Sequence, residues 1–115
     1  MKAGRKISGG KYTRNRKKKK FEIAGQKRTV KLGKNKRKHL RTLGGKLKTV
    51  LLMANTINVG KKKVDIKNVL ETPSNRFLAR QNVITKGTIV DTELGKVRVT
   101  NRPSQEGVIN GVLVK

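Results

Sequence analysis

The residues best placed to do chemistry in this chain are cations, and the chemistry they offer is neutralisation of a polyanion. In the stretch ISGGKYTRNRKKKKFEIAG, Lys11, Arg14, Arg16, Lys17, Lys18, Lys19 and Lys20 crowd together behind Gly9-Gly10, with Arg5 and Lys6 just ahead of them. Each phosphate that a Lys or Arg neutralises releases condensed counterion, so such a run gives affinity for nucleic acid without reading its sequence. Gly9-Gly10 lets backbone approach a phosphate or turn sharply in a groove. Tyr12 and Phe21 bracket the run and offer faces that stack on bases or fill a crevice. For Phe21, together with Ile23, packing on the rest of the protein is the stronger expectation; Tyr12 stays open between the two. A second basic stretch, GKNKRKHLR, adds Lys34, Lys36, Arg37, Lys38, His39 and Arg41 and leads into a second glycine pair, Gly44-Gly45, followed by Lys46.

Other chemistries lack their residues. No Gly-Lys pair is followed by Ser or Thr as a Walker motif requires, and no G-x-G-x-x-G is present. The chain has no cysteine, which excludes disulfides, thiol catalysis and cysteine-based zinc sites and leaves the redox compartment open. Its one histidine, His39, sits among Lys and Arg, where a metal cation is repelled; it is expected to be solvated or to face a phosphate. Asp91 and Glu93 read as a wet turn rather than an acid/base pair. No enzyme activity, cofactor or metal is expected. No apolar run approaches the length of a membrane span, and the N-terminal residues lack the apolar core of a secretory signal. They are basic and acid-poor like a mitochondrial presequence, but no amphipathic helical period follows. The expectation is a soluble, intracellular protein.

The charge is large and uneven. Of 115 residues, 31 are Lys or Arg and 6 are Asp or Glu, a net charge of +25. Residues 1–46 hold 19 cations and one acid, Glu22, and so carry +18; residues 47–115 carry +7. Charges about 7 Å apart in water repel by roughly 0.6 kcal/mol before screening, and the apolar content of the first part is too sparse to offset ordering entropy. An extended basic arm over residues 1–28 is expected, ordered on its polyanion. From Arg5 to Arg28 it would span roughly 80 Å, against a radius of gyration of about 11 Å for a folded body of some 70 residues. That reach suits threading between the helices of structured RNA better than reading one groove, and no helix-turn-helix or zinc finger is visible.

The elements that must carry these groups are short strands. Thr29–Leu32 alternates, as does Val64–Lys67. Gly33–Arg41 reads as a basic loop, within a loop region 33–46. Strands are also expected over Lys46–Leu52, Met53–Val59, Val83–Thr85, Thr88–Val90, Lys96–Thr100 and Val108–Val114. Pro73 stops a strand, and Ser74 or Asn75 is placed to cap a helical turn through Arg80. Strands at intervals near ten residues, punctuated by Gly and Pro, predict an all-β domain over 29–115: a small barrel or sandwich with an aliphatic core. SGGK at 8–11 and LGGK at 43–46 look alike, a likeness that chance can supply among 12 glycines.

These residues also carry a resemblance. Gly4 to Lys11 followed by Arg16 to Ile23 resembles the opening signature of the archaeal and eukaryotic S-eight-e family of small-subunit ribosomal proteins, in which Ser/Thr-Gly-Gly precedes a basic run ending in an aromatic and a glutamate. Val30-Lys31-Leu32-Gly33, Arg41 with Gly44-Gly45, and the block from Thr72 to Lys115 are similar too, the last to the short archaeal branch. The resemblance implies a β-barrel-like body of about six strands with a basic arm, bound to small-subunit rRNA beside neighbouring ribosomal proteins, one copy per subunit in the cytoplasm. It implies RNA contact at Ser8, Gly9, Gly10, Lys11, Arg16 to Lys20, Arg41, Gly44 and Gly45. Lys46 stands where the family pattern has Asn, which favours a phosphate contact there over base reading. Two rivals follow from the same residues: a ribosome-assembly factor, similar over much of this domain, and a general DNA-compacting protein, which would not need the Ser-Gly-Gly context.

Overall fold

Short aliphatic strands must pair to bury their apolar faces, and in this chain they do so in two sheets built on one core. The computed structural model describes residues 4–13, 15–25 and 27–114. The strands are β1 (Val30–Leu32), β2 (Lys36–Arg41), β3 (Leu47–Ala54), β4 (Thr56–Val59), β5 (Lys62–Glu71), β6 (Val83–Ile84), β7 (Ile89–Thr92), β8 (Gly95–Val99) and β9 (Asn110–Leu113), with two short helices, α1 (Arg76–Arg80) and α2 (Pro103–Glu106). Strands β4, β5, β7, β8 and β9 form a closed barrel, and β2, β3, β1 and β6 lie side by side in that order in a second sheet.

Alternation decides which side chains go inside. In β5, Val64 and Ile66 point into the barrel while Lys63, Asp65 and Lys67 face out; in β8, Val97 and Val99 are buried and Lys96 and Arg98 are not. Register shifts along the β5–β7 ladder, at Ile66/Asn68 and Val69/Glu71, mark bulges that bend the strand round the barrel. Val30, Leu51, Ala54 and Ile84 of the second sheet join Ile57, Val69, Val90, Val97, Val99 and Ile109 in a single apolar cluster. Burying a Val or Ile stabilises by about 1.5–3 kcal/mol, so this shared cluster holds both sheets. The core is aliphatic as expected, and Phe77 stays outside it, 67% exposed.

The all-β class holds, and the differences lie in how the strands divide. The barrel proper has five strands, and β1, β2, β3 and β6 lie outside it. The stretch expected as a basic loop, Gly33–Arg41, contains β2, because β3 offers it a continuous antiparallel ladder from Arg37↔Leu51 to Arg41↔Leu47. Asn75 caps α1, its Oδ1 accepting from the Phe77 N–H at 3.0 Å. The long turn Arg102–Gly107 holds α2, started by Pro103 and ended by Gly107 in the left-handed conformation. Before Val30, the described residues are exposed and enter neither sheet. Phe21 and Ile23, expected to pack on the body, are 79% and 58% exposed.

Barrel closure is the parallel pairing of β4 with β9, Asn58↔Asn110 and Val59↔Gly111, backed by an Asn58–Asn110 side-chain hydrogen bond of 3.1 Å. A Cβ on Gly111 would lie 3.0 Å from the Arg98 carbonyl oxygen and closer still to the side chains of Val97 and Ile57. Gly111→Ala is therefore expected to destabilise the fold by about 1–3 kcal/mol through overpacking. Thermal unfolding followed by circular dichroism checks this, and an unchanged midpoint would show that the seam is not tight.

Candidate nucleic-acid interface

The first basic segment is organised by its glycines. Lys6 and Gly10 face each other across the loop Ile7-Ser8-Gly9: the Gly9 N–H donates to Lys6 O at 2.9 Å and the Lys6 N–H to Gly10 O at 2.8 Å. Arg5 and Lys11 form an antiparallel bridge beneath it. Gly9 has φ +80°, the left-handed position that a three-residue hairpin loop reserves for glycine. Arg5 Nη1 donates to Gly9 O at 3.0 Å. The result is a small basic hairpin with Ile7 fully exposed at its tip. The Lys6 ammonium sits 5.8 Å from the centre of the Tyr12 ring, within cation–π range.

The lysine run is organised by an acid. Glu22 takes the Arg16 guanidinium in two bonds, Nη1–Oε2 at 2.8 Å and Nη2–Oε1 at 2.6 Å. It also accepts the Lys19 N–H at 3.0 Å, while its own N–H donates to Lys19 O at 2.9 Å. One carboxylate thus draws residues 16–22 into a loop from which Lys17, Lys18 and Lys20 stand exposed. Lys19 Nζ lies 5.9 Å from the Phe21 ring centre. The bond from Arg16 first, and the Lys19 amide second, hold the Glu22 carboxyl below its ordinary value; the same contact raises Arg16. Sequence reasoning missed Glu22 as an organiser. Its signal was its position as the one acid among 19 cations in residues 1–46.

The third basic feature is the β2–β3 hairpin. Residues opposite each other in an antiparallel pair share a face. Arg37, His39 and Arg41 therefore lie on one face with Leu51, Thr49 and Leu47, and Lys38 and Leu40 on the other with Val50 and Lys48. Exposure rises along β3 towards the tip: Val50 and Leu51 are buried, Thr49 is intermediate, and Lys48 and Leu47 are exposed. The hairpin thus clears the body by roughly 10 Å beyond Thr49, at about 3.4 Å per residue, with cations on both faces. Its tip is tied by the Thr42 N–H and Oγ1, both donating to Lys46 O at 2.7 and 2.9 Å. Gly44 and Gly45 both sit at positive φ, +78° and +76°, and Leu43 is fully exposed. His39 Nδ1 lies 3.0 Å from Thr49 Oγ1, a cross-strand bond on the exposed hairpin. Lys48, within β3, belongs to this surface through its register with Leu40.

Of the residues predicted to bind, Arg5, Lys6, Ser8, Gly9, Gly10, Lys11 and Tyr12 therefore share the first hairpin and its flank. Arg16 to Lys20 share the Glu22 loop, and Lys36 to Arg41 with Gly44, Gly45 and Lys46 share the second hairpin. Lys34 lies exposed in the turn before β2. Arg14 lies outside the described residues. Among the described residues no hydrogen bond or ion pair links the first hairpin to the second. In those same residues Arg16–Glu22 is the one ion pair, and no group of three or more His, Asp or Glu is placed to hold a metal. No described helix is long and apolar enough to cross a membrane.

Comparison with known proteins gives a consistent result. The family described as Ribosomal protein S8e matches residues 1–114. The chain is 44% identical to small ribosomal subunit protein eS8 of Nanoarchaeum equitans, over 96% of this chain and 92% of that protein. It is 48% identical to the protein of the same name from Staphylothermus marinus and 42% identical to that from Sulfolobus acidocaldarius, with the same coverage in each case.

The Glu22 loop makes a pH prediction. A carboxyl depressed in the folded state contributes stability that is present above its unfolded value and lost as pH falls through its folded value. The 16–22 loop should therefore persist through neutral pH and open only below the ordinary glutamate range. The Lys19 amide proton, read by NMR, should titrate with a midpoint below that of a model glutamate peptide. In Glu22→Gln that titration should vanish; a midpoint at the model value would show that Arg16 does not hold the carboxylate.

Proposed function

The chain belongs to the ribosomal protein S8e family, and from that membership we propose that it is a structural constituent of the small ribosomal subunit, binding and bridging small-subunit rRNA to support translation in the cytoplasm. The role is structural rather than catalytic. The observation that carries the RNA reading is the surplus of cations over acids, 31 Lys and Arg against 6 Asp and Glu, with one ion pair among the described residues.

In this reading residues 1–28 act as the RNA-threading arm and 29–115 as the body that docks on the RNA surface, with the basic region 33–46 extending from it. Phosphate contact falls to Arg5, Lys6, Lys11, Arg14 and Arg16 to Lys20 in the arm, and to Lys34, Lys36, Arg37, Lys38, Arg41 and Lys46 in the body. Ser8, Gly10, Gly44 and Gly45 bring backbone close to the chain of phosphates, Gly9 shapes the turn that presents it, Tyr12 stacks, and His39 lies along the second hairpin. One copy sits in each subunit beside neighbouring ribosomal proteins. The archaeal relatives at 42–48% identity, each named as a small ribosomal subunit protein, support this reading over an assembly factor or a DNA-compacting protein.

Sedimentation with mature small subunits washed in high salt tests it. Stoichiometric retention is expected. Retention on precursors alone would instead identify an assembly factor, and absence from both would turn attention to duplex DNA. A second measurement tests the arm. Each lost phosphate contact lowers the slope of log affinity against log salt by about 0.7–0.9. Changing Lys17, Lys18, Lys19 and Lys20 together to Gln should lower that slope by about 3 in a salt series on rRNA fragments. An unchanged slope would show that these lysines stay solvated in the complex.

A further inference from the structure

A cavity of about 290 Å³ opens where the start of β1, the middle of α1, the turn after β6 and the start of α2 meet. Four segments distant in sequence build it; Lys27 and Arg28 end the arm, and its other residues belong to none of the basic features described above. Its floor is apolar: Val30, Ile84 and Pro103 are buried side chains of the body, and Leu78 is half-buried beside them. Its lining is also cationic: Lys27, Arg28, Lys86 and Arg102 form its rim. Among the described residues no Asp or Glu lines it, and none of the four rim cations makes an ion pair. Thr29, Thr85 and Ser104 add small polar groups between floor and rim.

Such a site selects for a ligand that is flat and apolar at one end and anionic at the other. A well-formed apolar pocket with a few converging polar groups is the usual form of a small-ligand site, and this volume suits one planar ring system rather than a stacked pair. We infer that the cavity holds a single unstacked nucleotide of single-stranded RNA, its base on the Val30–Leu78–Ile84–Pro103 floor and its flanking phosphates on Lys27, Arg28, Lys86 and Arg102. A nucleotide meets both demands within one residue of the polymer. Sequence-specific RNA recognition commonly works on splayed-out bases of this kind, because their edges and faces are free. The inference rests on the rRNA reading above and adds to it a site that takes a base, where the arm and hairpin take phosphates.

The test uses the full chain, labelled at its backbone amides and at its Ile, Leu and Val methyl groups, titrated by NMR with pentaadenylate and with an abasic pentanucleotide of the same charge. With pentaadenylate, the methyls of Val30, Leu78 and Ile84 should shift; with the abasic strand they should stay still while backbone amides of Lys17 to Lys20 respond to both. Ser104→Trp, which fills the cavity from the half-buried flank of α2, should weaken pentaadenylate binding at these methyls about tenfold, the order expected for losing contact with one base, and leave the arm's response intact. Ser104→Ala should bind like the parent, and in the free variants unchanged signals from methyls that do not line the cavity, such as those of Val64 and Val97, show that the fold survives. Equal shifts with the abasic strand, or none at these methyls while the arm responds, would overturn the inference and leave the RNA reading standing. No response anywhere to either strand would overturn both.

Discussion

Positive charge that the chain cannot neutralise from within governs the rest of the structure. Six acids face 31 basic residues, and only Glu22 is spent on an ion pair among the described residues. Burying an unpaired cation costs several kcal/mol, so every strand must present its Lys and Arg outward and build its interior from neutral aliphatic groups. That is why period-two strands serve here where amphipathic helices would be awkward: alternation gives each Val or Ile an inward place and each neighbouring cation an outward one, as in Lys63-Val64-Asp65-Ile66-Lys67. Where the density of cations leaves too few apolar partners, as before Val30, the chain leaves the sheets.

This constraint also separates what the sequence made legible from what it did not. Strands with clean alternation, such as Val64–Lys67 and Lys96–Thr100, and the Asn75 cap are local matters of spacing and turn chemistry, and they read directly. Strand β2 did not. Lys36–Arg41 is cationic almost throughout, and no local preference would make a strand of it. Its pairing is set by β3, whose Val50 and Leu51 are anchored in the core, an example of neighbours outweighing intrinsic preference. The extra sheet was illegible for the same reason, since β1 pairs in parallel with β3 and antiparallel with β6, contacts that no window of sequence contains.

The candidate interface shows the same division. The basic residues were evident from composition, but their grouping into two hairpins and a carboxylate-tied loop depended on backbone geometry. The likeness between Ser8-Gly9-Gly10-Lys11 and Leu43-Gly44-Gly45-Lys46, explicable by chance as a string, has a shared structural counterpart. Each stretch turns a basic hairpin through glycine at positive φ and leaves an aliphatic residue, Ile7 or Leu43, fully exposed at the bend. The pocket between α1 and α2 was beyond sequence reading because its four rim cations come from three separate stretches whose approach only the fold creates.

The parallel seam between β4 and β9 has a consequence in time. A nascent chain emerges N-terminus first, so the most cationic third is exposed to solvent and to any RNA nearby long before β9 exists. Strand β4 must then wait some fifty residues for the partner that closes its edge, and non-local pairings of this kind form slowly. Capture of a polyanion by the leading segment and closure of the barrel are thus separable events, and synthesis order alone allows the first to precede the second. An early-bound leading segment would hold the body close to its docking surface while the body is still completing its sheet.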